Sequence, residues 1–188
     1  MFDGHDIGEV IHMRLKLLAF VSLATVLVFA LVAGIVLGNE RSRVTASLTG
    51  YEETPATIST PANGSFTATI DEAADPPTIH YTLTISPLTG SVLFAHVHFG
   101  ARGTSGGVAA FLCGGGSKTT TPCPQAGGTV TGTITPADVI GPIPQGIAPG
   151  EWDELVAAIR AGVAYANVHS TTWPGGEVRG QINDDNQK

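Results

Sequence analysis

The stretch TIHYTLTI, residues 78–85, alternates without a break. Ile79, Tyr81, Leu83 and Ile85 share one side, and Thr78, His80, Thr82 and Thr84 share the other. Strand side chains point to opposite faces with a period of two, so this pattern fits a strand with one buried face and leaves no helical alternative. VTASLTGY places Val44, Ala46 and Leu48 on one face, and GSFTATI does the same with Phe66, Ala68 and Ile70. SVLFAHVHF is more continuously apolar, as expected of a strand covered on both faces. GVAAFLC, GTVTGTIT, VAYANVHS and EVRGQI bring the set to about eight short strands. The joints are rich in turn residues: PANG, DEAADPP, SPLTG, GARGTSGG and WPGG. Together these features predict an all-β fold, an antiparallel Greek-key sandwich or barrel.

One stretch departs from that period. In PGEWDELVAAIRAG, Trp152, Leu155, Val156 and Ile159 recur at helical spacing. Pro149 stands near the entry, Glu151, Asp153 and Glu154 fall in the first turn, and Gly162 sits at the capping position. A single short helix packed on the β structure is expected, preceded by an irregular loop, DVIGPIPQGIAPG.

Residues 17–38, LLAFVSLATVLVFALVAGIVLG, carry no charge and match the length of a bilayer-spanning helix. Arg14 and Lys16 precede them, which keeps residues 1–16 cytoplasmic and sends the rest outward. Two fates stay open, a cleaved signal peptide or a retained anchor. Either one places the β domain, residues 43–183, outside the cytoplasm, with 184–188 as a short tail. The whole chain of 188 residues has a formal net charge of −7 and no basic patch. That argues against nucleic acid as a partner and limits membrane contact to the N-terminal segment. Cys113 and Cys123 bracket GGGSKTTTP and are expected to form a disulfide in an oxidising compartment. Two free thiols are the alternative, and the spacing is too wide for a zinc knuckle.

The chemistry centres on AHVHFG. His96 and His98, two apart on a strand, present both imidazoles to one face with a bite that copper or zinc spans. His169 in NVHS supplies a third ligand if its strand is a neighbour. The alternative is that the rings hydrogen-bond backbone or an acid and fix loops. In GGEVRGQI, Glu177, Arg179 and Gln181 share one face, either as a polar network that orients the histidines or as a solvent-facing row. Glu52 and Glu53 are adjacent, so they point apart and form no dyad, although one of them could reach Arg179 or the histidines. No nucleophile elbow, phosphate loop or dinucleotide fingerprint is present.

Read in order, LTGYEETP, ANGSFTATID, IHYTLTI, FAHVHFG, GGTVTGTIT, LVAAIRAGVAYANVHS and WPGGEVRGQI resemble the CHRD domain, named after chordin and frequent in microbial secreted proteins. The resemblance implies an extracellular all-β domain. It assigns the family's acidic position to Glu53, its histidines to His96, His98 and His169, and its closing polar triplet to Glu177, Arg179 and Gln181, in a run that begins at Asn167. FAHVHFG is also similar to the strand of copper/zinc superoxide dismutases that supplies two copper ligands. That likeness is local, because residues 100–135 contain no histidine or aspartate for a second metal. The expectation is an extracellular binding or envelope module without catalytic activity, whose partner is an unidentified extracellular protein or envelope component. The alternative is a mononuclear copper or zinc protein using the three histidines, with redox or hydrolytic activity.

Overall fold

A computed structural model describes residues 43–119 and 121–183. The apolar segment 17–38, the n-region 1–16 and the tail 184–188 lie outside the described residues. Eight strands form a single sheet: β1 (Arg43–Thr49), β2 (Asn63–Asp71), β3 (Thr78–Ile85), β4 (Val92–Phe99), β5 (Gly107–Cys113), β6 (Gly128–Ile134), β7 (Ala164–Ser170) and β8 (Val178–Gln181). Their order across the sheet is β5-β4-β7-β8-β1-β2-β3-β6, with every pair antiparallel. The sheet curls into a nearly closed barrel rather than splitting into two sheets.

The two edge strands are brought together without a regular ladder. Tyr81 Oη on β3 donates to Leu112 O on β5 at 2.6 Å. Lys118, in the β5–β6 connection, donates to Thr133 O at 2.8 Å and pairs with the Asp138 carboxylate at 3.0 Å. Ile140 N then donates to Ala109 O at 2.9 Å, occupying part of the free edge of β5. Cys113 and Cys123 form the expected disulfide and close the glycine-rich loop beside this seam. These contacts blunt the exposed edges that an open sheet would present.

The alternating apolar residues fill the barrel. Val44, Leu48, Phe66, Ile79, Leu83, Val97, Leu112, Val168, Val178 and Ile182 are all almost fully buried. Each large aliphatic side chain withdrawn in this way contributes about 1.5–3 kcal/mol. The helix α1 (Trp152–Arg160) packs Trp152, Leu155, Val156 and Ile159 inward. It ends at Gly162, whose φ of +69° lets Val163 N donate to Ala158 O. Among the described residues no helix is long and apolar enough to cross a membrane.

The outer face differs between the two halves of the sheet. On β1, β2, β3 and β6 it is exposed or half-exposed, tiled with threonines such as the registered row Thr45, Thr67, Thr82 and Thr131. On β4, β7 and β8 it is largely buried, although most of its residues are polar. The loops at residues 50–62, 100–106 and 171–177 supply hydrogen-bond partners to this second half.

Candidate metal centre

Inward-facing Ala95 and Val97 force Phe94, His96 and His98 onto the outer side of β4, and Ala166 and Val168 do the same for Tyr165, Asn167 and His169 on β7. The two strands are neighbours, so the topology supplies what spacing alone could not. In the register His98 faces Tyr165, His96 faces Asn167 and Phe94 faces His169, which makes His96 and His169 diagonal neighbours. The ring centroid of His96 lies 4.4 Å from that of His98 and 4.5 Å from that of His169. Register shifts against β5 flank His96 and His98, a local twist that aims side chains.

The three imidazoles are 3, 8 and 6 % exposed for His96, His98 and His169. His98 Nδ1 lies 2.8 Å from Gly106 O, and His169 Nδ1 lies 2.9 Å from Pro174 O. A carbonyl oxygen only accepts, so each Nδ1 donates its hydrogen and each Nε2 keeps its lone pair. These two Nε2 atoms, and Nδ1 of His96, are buried without a hydrogen-bond partner. One ring nitrogen from each of the three lies within 4.8 Å of the others. Burial, reinforced by the neighbouring imidazoles, pushes the His96 pKa down to about 2. Burial likewise lowers His98 to about 4 and His169 below its ordinary value. The rings are therefore neutral, the protonation state a metal ligand requires.

Aromatic rings frame the cluster. Phe94 lies 5.2 Å from His96 and 4.8 Å from His169 between centroids, and Phe111 meets His96 edge-on at 5.1 Å. Tyr165 stacks on His98 at 4.6 Å with only 5° between the planes, and the Arg179 guanidinium covers the other side of Tyr165 at 3.5 Å. Tyr165 Oη also accepts from Gly106 N at 3.0 Å, so it steadies the carbonyl that holds His98. Sequence reasoning missed Tyr165, Phe94, Phe111, Gly106 and Pro174. Of these, Tyr165 and Phe94 were accessible from alternation, because each shares a strand face with a histidine.

The five polar residues expected around the histidines are all buried. Glu53 Oε1 accepts from Asn167 Nδ2 at 2.7 Å, and Asn167 also donates to Val178 O at 3.0 Å. Glu177 accepts from Thr60 Oγ1, Thr89 N and Thr89 Oγ1, each at 2.9 Å, and from Ser170 Oγ at 2.5 Å, which hold its carboxyl below the usual range despite burial. Arg179 donates to Thr54 Oγ1 at 2.5 Å, Thr104 O at 2.8 Å and Ala101 O at 3.1 Å. Gln181 Nε2 reaches Gly100 O, Gly162 O and Ala164 O at 2.8–3.0 Å. The solvent-facing alternative for the β8 row does not hold, because these side chains clamp loops onto the barrel. Their hydrogen bonds go to the loops flanking the histidines rather than to the rings. Glu52 pairs with Arg102, not with Arg179.

A family model for the CHRD domain matches residues 44–182. No curated protein matches the chain. The matched span runs from the first inward residue of β1 to Ile182 just after β8, taking in all three histidines and the clamping residues, and the chain belongs to the CHRD domain family.

Proposed function

We propose that this domain is an extracellular binding module whose outer face carries a mononuclear metal centre, with His96, His98 and His169 as ligands for copper or zinc. Membership of the CHRD family suggests the extracellular binding role. One observation supports the metal: each of the three rings keeps a buried nitrogen without a partner, one nitrogen from each lies within 4.8 Å of the others, and backbone carbonyls fix the tautomers of two of the rings. An unpartnered buried polar atom costs about 1–3 kcal/mol, and a single ion between the rings would relieve all three. Carbonyl-bound Nδ1–H groups are the usual outer support of metal-binding imidazoles.

A metal about 2.0–2.1 Å from each nitrogen places the nitrogens about 3.3–3.6 Å apart in tetrahedral or trigonal geometry. Binding therefore draws the rings together from the present separations, which reach 4.8 Å. Three imidazoles contribute no charge, and the cost of burying an ion grows with the square of its charge. Cu(I) is accordingly the favoured occupant and zinc the second.

The test is a metal titration of the purified protein in ascorbate, which holds copper as Cu(I) and leaves the Cys113–Cys123 disulfide intact, in competition with a coloured Cu(I) chelator, repeated with zinc. One tightly bound ion per chain is expected, reduced to weak non-stoichiometric binding in His98→Ala. An absence of saturable binding for both metals would overturn the reading.

A further inference from the structure

Glu53, just after the turn that follows β1, is 5 % exposed, and its carboxyl accepts from the Asn167 side chain and from the Thr54 backbone. Among the described residues no cationic nitrogen lies within 4.0 Å of it. The nearby Arg179 guanidinium acts on it through space but commits its terminal nitrogens to Thr54, Thr104 and Ala101. Burial raises the carboxyl to about 7 against the opposing pull of Asn167, Arg179 and the Thr54 backbone, as befits an acid in no direct ion pair.

Glu53 is one wall of a cavity of about 200 Å³ whose other walls include Pro55, Ala56, Ile58, Trp173 and Pro174. Gly176 keeps the acid side clear: its φ is +131°, and a Cβ there would lie 2.5 Å from Glu53 Oε2. Trp173 is 37 % exposed, a large aromatic left partly in solvent. The cavity is smaller than the roughly 300–1,000 Å³ typical of small-molecule pockets, and it suits a single side chain.

We propose that this cavity is a docking site for the cationic tip of a lysine or arginine side chain presented by an extracellular partner protein. The ammonium or guanidinium pairs with Glu53, and the aliphatic stem lies against the prolines, Ala56 and Trp173. A buried acid unmatched in the free protein gains its counter-ion, and Trp173 adds a cation–π contact. None of these residues is a histidine of the metal centre, so either assignment can fail without the other.

The experiment follows tryptophan emission during titration of the purified protein with n-butylammonium, n-butylguanidinium and n-butanol. Trp152, only 5 % exposed, provides a constant background. Saturable changes are expected with both cations, with n-butanol at least tenfold weaker. Glu53→Gln keeps an acceptor for Asn167 and is expected to weaken cation binding at least tenfold at unchanged far-UV circular dichroism. Equal binding of n-butanol, an unchanged affinity in Glu53→Gln, or no response to any of the three compounds would overturn the proposal. Should Glu53→Gln fail to fold, the wild-type comparison of charged and neutral probes decides by itself.

Discussion

Replacing Glu53 by glutamine changes how stability depends on pH. The folded pKa of Glu53 is raised from 4.5 to about 7, chiefly by burial. A group with a raised folded pKa contributes stability that is fully present below its unfolded pKa and is lost as pH rises through the folded value. The rise to about 7 corresponds to about 3 kcal/mol lost between roughly pH 4.5 and pH 8. Glutamine does not titrate and still accepts from Asn167, so the variant escapes this loss. The buried histidines act in the opposite sense, because their pKa values are lowered and their contribution disappears as pH falls below about 6.5. That effect is common to both proteins and cancels in the difference. Urea unfolding of metal-free wild type and Glu53→Gln at several pH values measures the difference directly. The variant is expected to gain about 3 kcal/mol on wild type between pH 4.5 and pH 8. A difference constant across that range would refute the reasoning.

Tyr165→Phe removes the acceptor for Gly106 N while leaving the ring on His98, so it should cost about 1 kcal/mol. Because Gly106 O orients His98, metal affinity should also fall by about tenfold in chelator competition. Arg179→Lys cannot satisfy Thr54, Thr104 and Ala101 together from a buried site, and calorimetry should show a loss of about 3 kcal/mol. Reducing Cys113–Cys123, which closes a loop with a sequence separation of 10, should lower stability by about 2–3 kcal/mol in urea with and without reductant.

The strands were legible because their inward residues follow a period of two over seven or eight positions, as in β1 and β3. The helix was legible from Trp152, Leu155, Val156 and Ile159, and its end from Gly162. Strand order was less accessible. Nothing in the spacing of His96, His98 and His169 says that β4 and β7 pair, since 65 residues, β5, β6 and α1 among them, separate His98 from the start of β7. The family resemblance aligned these histidines with a known pattern, and the ladder then gave them a common face. The burial of that face was also hidden. Glu177, Arg179 and Gln181 alternate as an exposed row would, and only the folded loops turn them into clamps. Local periodicity reports which side of a strand a residue occupies, whereas a loop crossing that side is set by tertiary contacts.

X-ray absorption at the copper edge of the Cu(I)-loaded protein tests the central claim most directly. One copper per chain with three imidazole nitrogens at about 2.0 Å is expected. Loss of that signature is also expected in His96→Ala, the ring closest to both of the others. A first shell dominated by oxygen, or a spectrum unchanged by His96→Ala, would contradict the claim.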